Sequence, residues 1–171
     1  MAAAVRSVLA SAAALRMLPR TAVRVSIQEL SDDGGLLAAA VNAAMAALAD
    51  AGIPCYGLVA AACEAIADAE TPASLADPCA AEENDGAYSC VTVATLPSEC
   101  SEAGEEGGGD VVLCEAGGGV PARARVSAEA LAAAVAAARA QCAATREEMA
   151  SALEATQVWS DRLRAPEEAS G

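Results

Sequence analysis

The chain has 171 residues and a formal net charge of −14, from 24 acidic residues against 10 basic ones, with no His. That length suits one domain or part of one. The missing His excludes a Ser-His-Asp triad, a Cys-His dyad and any His-ligated metal, and the acidic balance excludes gripping a nucleic-acid backbone by bulk electrostatics.

Met1–Val25 holds Arg6, Arg16, Arg20 and Arg24 and no acid. An Ala-rich, Arg-bearing, acid-free start reads equally as an organelle leader or as an ordinary helix. On the second reading Val5, Val8, Leu9, Ala12 and Leu15 share one face, and Pro19 ends the run. Thr21–Leu30 alternates, with Val23, Val25 and Ile27 on one side and Arg24, Ser26 and Gln28 on the other, which predicts a half-buried strand.

The Ser31–Gly35 stretch is a tight turn into a helix, with Asp33 the expected N-cap and Leu37, Val41, Ala44, Met45 and Leu48 the buried stripe. Gly52 and Pro54 stop that helix. Cys55–Ile66 is an apolar run of strand length, and Asp68–Asp85 reads as loop, so Glu82, Glu83 and Asp85 are expected on a solvated surface. Tyr88–Leu96 and Val111–Cys114 read as strands, separated by an acidic, Gly-rich loop over Glu99–Gly109. Ala116–Arg125 is a connection. Ser127 caps the longest helix, whose predicted face is Leu131, Val135, Ala138, Cys142, Met149 and Leu153. The order implies an α+β chain with one sheet covered by helices.

Seven Cys occur without a C-x-x-C pair. They are read as small apolar residues in a reduced compartment. Every apolar run is too short for a membrane span or is broken by Gly, Pro or charge, so no segment is expected to cross a bilayer. No metal or cofactor is expected.

Two stretches carry a resemblance. Val23–Pro54 reads VRVSIQELSDDGGLLAAAVNAAMAALADAGIP, and Leu75–Glu83 reads LADPCAAEE. The first resembles the ribonuclease PH segment in which a strand enters a D-G-G turn and a helix ending in D-A-G-[IV]-P. The second resembles the acidic stretch before that family's next strand. The resemblance implies a partial RNase PH-like domain over residues 5–158, with a mixed sheet of the ribosomal protein S5 domain 2-like βαβ type, and a polar tail over 159–171. Family members extend well before the point matched by Met1, which leads us to expect an open sheet edge and dependence on a partner.

Catalytic members of that family trim RNA 3′ ends with inorganic phosphate, and their turn continues Gly-Thr-Arg to hold it. The matching residues here are Gly35, Leu36 and Leu37. A helix N-terminus still offers N–H groups, but the hydroxyl and the guanidinium are gone. The family's pair of Asp residues corresponds to Glu83 and Ser89, of which only the first is an acid. The resemblance therefore implies a catalytically inactive subunit of the exosome ring, working in 3′–5′ RNA processing, rRNA processing and decay in nucleus, nucleolus and cytoplasm. Its partners would be other RNase PH-like subunits in a hetero-hexamer. RNA would be met only in the assembly, with Arg20 and Arg24 as contacts. The alternative is an active phosphorolytic 3′–5′ exoribonuclease that borrows Arg across a composite site.

Overall fold

The computed structural model describes residues 1–67, 74–84, 88–97, 109–117 and 126–164, with side chains to residue 156 of the last helix. The expected loop at Glu99–Gly109 apart from Gly109, most of the Ala116–Arg125 connection, Asp85 and the last seven residues lie outside the described residues.

Four strands, β1 (Ala60–Ala67), β2 (Ser74–Ala76), β3 (Tyr88–Pro97) and β4 (Gly109–Ala116), pair in the order β2-β1-β3-β4. Every pairing among the described residues is antiparallel, where a mixed sheet was expected. Helices α1 (Ala2–Ala12) and α2 (Leu36–Asp50) cover one face, and α4 (Ala128–Arg164) covers the other. A single turn, α3 (Ala80–Glu83), precedes β3.

The two cores differ in what they hold. On the α1/α2 side, Val8, Val41, Met45 and Leu48 pack onto Ala61, Cys63, Ala65, Cys90 and Ala94. Opposite them, Ala134, Ala138 and Cys142 of α4 pack onto Ala60, Ala62, Ile66, Val91 and Val93. The small sheet residues let the helices lie close. Most of the apolar area removed from water then belongs to the few larger side chains, at about 1.5–3 kcal/mol each.

Several elements depart from the sequence expectation. Helix α1 ends at Ala12, where Ala13 turns extended and bridges to Cys55, so Leu15 leaves the buried stripe and is half exposed. The strand begins at Ala60 rather than Cys55. The buried line of α4 runs through Ala134, Ala138 and Cys142, with Leu131 turned outward. Ala138 and Cys142 are buried as expected, and Val135 and Met149 pack against the same core, but Ala134 takes the place of Leu131, since an Ala-lined sheet favours close backbone approach. Helix α4 also continues to Arg164, inside the stretch expected as tail.

The largest correction concerns Thr21–Leu30. No strand forms there among the described residues, and Val23, Val25 and Ile27 are exposed. Alternation makes a segment fit a pleated surface, but it does not supply the neighbour that makes it a strand.

Candidate functional site

Helix α2 starts two residues later than the Asp33 cap predicted. Its N-cap is Gly35, in the left-handed region at φ 60°, and no side chain caps it locally. Asp32 Oδ1 instead accepts from Gly34 N–H at 3.0 Å, closing the turn, while the Asp33 carbonyl accepts from Ala80 N–H at 2.7 Å. The two stretches singled out in the sequence thus lie against each other. Gly34, at φ +103°, leaves no room for a side chain, because a Cβ there would fall 2.2 Å from the Pro78 carbonyl oxygen.

This docking brings Glu83 to the turn. Gly35 N–H donates to Glu83 Oε1 at 2.8 Å, across 48 residues of sequence. The carboxylate therefore sits at the positive end of α2, where the helix dipole and an otherwise free N–H both favour an anion. Glu82 Oε2 accepts from Cys79 N–H at 2.8 Å and holds α3 in place. The acidic loop expected here is a capped turn with defined partners, half-buried at Glu82 and Glu83.

In front of the turn lies a cavity of about 370 Å³, between the first half of α2, the start of β1 and the middle of α4. Strand β2 pairs only with Glu64–Ile66 of β1, so the earlier part of β1 faces this space. Asn42 of α2 closes that edge: its Nδ2 donates to the Ala61 carbonyl at 2.9 Å, and its Oδ1 accepts from Ala61 N–H at 2.7 Å. The ionisable lining includes the carboxylates of Asp77 and Glu148, and no Arg lines the cavity among the described residues.

The site residues read from the sequence are distributed as follows. Gly35 and Glu83 meet. Leu36 and Leu37 occupy the first turn of α2, half-buried, with Leu37 packed on the apolar core. Ser89 does not join them, because it pairs opposite Ile66 on the α4 side of the sheet. Its hydroxyl is buried there without a hydrogen-bond partner among the described residues. The neighbour that faces Glu83 is Cys90, whose thiol is pushed up by burial and by the Glu83 charge. Arg20 and Arg24 are exposed and do not line this cavity.

Asn42, Asp77, Cys63 and Glu148 were not singled out by sequence reasoning. Asp77 lay within the quoted L-A-D-P stretch, and Asn42 is a lone amide on an Ala-rich helix, which was the available signal. Burial pushes the Cys63 thiol up to about 12, with the Cys90, Glu83 and Asp77 charges adding to it and a hydrogen bond with Thr92 opposing. At pH 8 about one Cys63 in ten thousand is thiolate. Alkylation at that pH, mapped by mass spectrometry, is expected to label exposed Cys114 and spare Cys63, Cys90 and Cys142 until the protein unfolds. Equal labelling of Cys63 and Cys114 would mean the cavity wall opens readily.

Comparison with known proteins gives the geometry a context. Residues 1–54, which include the D-G-G turn and all of α2, match the family model "3′ exoribonuclease family, domain 1". The structure superposes on the crystal structure of rice (Oryza sativa) Rrp46 with a TM-score of 0.66 at 23% identity, over 89% of this chain. The chain has the RNase PH-like fold. It spans 61% of the length of the rice protein. No curated protein sequence matches it. The motif resemblance and the fold agree on the RNase PH-like turn, and the structure adds that here this turn is bonded to the chain's own carboxylate.

Proposed function

We propose that this chain is a structural, catalytically inactive RNase PH-like subunit of the RNA exosome, acting in 3′–5′ RNA processing and decay, including rRNA processing. The observation that carries the reading is the Gly35–Glu83 hydrogen bond. A phosphate approaching the α2 N-terminus would have to displace an anion already seated there. It would meet Leu36 and Leu37 in place of a hydroxyl and a guanidinium, and Asp77 and Glu148 across the cavity. Desolvating a phosphate against apolar side chains and like charge is unfavourable.

Its role is then to present packed faces to other RNase PH-like subunits in a hetero-hexameric ring in nucleus, nucleolus and cytoplasm. RNA contact arises only in that assembly. Four of the ten Arg lie in the first 24 residues, and Tyr56 and Tyr88 stand apart, so the two described aromatics form no stacking platform. Crosslinks to RNA in the assembly are expected near Arg20 and Arg24.

The test is direct. Purified protein incubated with inorganic phosphate and a 3′-hydroxyl RNA oligomer is expected to release no nucleoside diphosphate. Pull-down from cells is expected to recover other RNase PH-like subunits. Diphosphate release that Glu83→Ala abolishes would overturn the inactive reading, and a pull-down without such subunits would overturn the ring reading.

A further inference from the structure

We draw no further inference here: the strongest candidate, the cavity walled by the first half of α2, the start of β1 and the middle of α4, belongs to the site already described, and nothing in the structure beyond the carboxylates of Asp77 and Glu148 shows what would occupy it.

Discussion

Gly34→Ala is expected to be the most damaging single-atom-group addition in the chain, costing about 3 kcal/mol or more. Two penalties combine. The residue sits at φ +103°, a conformation that L side chains rarely adopt. The added Cβ would also overlap the Pro78 carbonyl oxygen, Cys79 C and Ala80 N at 2.2, 2.8 and 2.9 Å. All three are backbone atoms, so no side-chain rotation relieves the overlap, and the two motifs must separate. Gly52 supplies the control. It too has positive φ, at +69°, but nothing lies within 4 Å of its would-be Cβ. Gly52→Ala should therefore show the conformational penalty alone, about 1 kcal/mol. Chemical denaturation of both variants measures the difference, and equal losses would show that the Pro78 contact is not rigid.

Arg146→Met is expected to cost about 2–3 kcal/mol. The guanidinium joins three pieces of the molecule. Its Nε donates to the Leu58 carbonyl at 2.9 Å, and one Nη donates to Thr95 Oγ1 at 2.7 Å and to the Thr95 carbonyl at 3.1 Å. Thr95 lies at the irregularity in the β3–β4 register, so Arg146 ties α4 to the strand at the point where the ladder is interrupted. Burial lowers the Arg146 pKa, with the Cys142 thiolate form opposing that shift. Met fills a similar volume and leaves the acceptors without a donor. Arg146→Lys is expected to recover only part of the loss, because an ammonium cannot reproduce the fork geometry. Thermal unfolding of the two variants checks the order. A Met variant as stable as the parent would show that α4 is held by Ala134, Ala138 and Cys142 alone.

Much of this arrangement was legible in the sequence where periodicity was supported by long-range packing. Helix α2 was readable from Val41, Met45 and Leu48, and its end from Gly52. The Ser127 cap was readable because it is local, and Ala130 N–H does donate to its hydroxyl at 3.1 Å. The α4 face was legible at Ala138 and Cys142, but its first buried residue is Ala134 and not Leu131, because large residues mark a core only when the opposing surface has space, and this sheet is lined by Ala. At the site, Gly35 and Glu83 were identified as counterparts of family positions, but nothing local indicates that they bond to each other. Ser89 was placed beside Glu83 as the counterpart of the family's second Asp. Strand pleat alternates faces at every residue, so a spacing argument across a turn fixes the side of the sheet only if the turn length is known. Thr21–Leu30 shows the opposite failure, where the alternation is plain and no strand pairs with it among the described residues.

The Gly35–Glu83 bond also bears on the order in which the molecule assembles. Helix α2 has no cap of its own, and the group that stabilises its first turn lies 48 residues further along the chain. During synthesis the α2 sequence emerges before β1, β2 and α3 exist, so its N-terminal turn frays until the later segment folds back. Contacts of such long sequence separation form late, because the loop between them must close before they contribute. Docking of Asp77–Glu83 onto the glycine turn is thus a late folding step, and it coincides with the filling of the anion position.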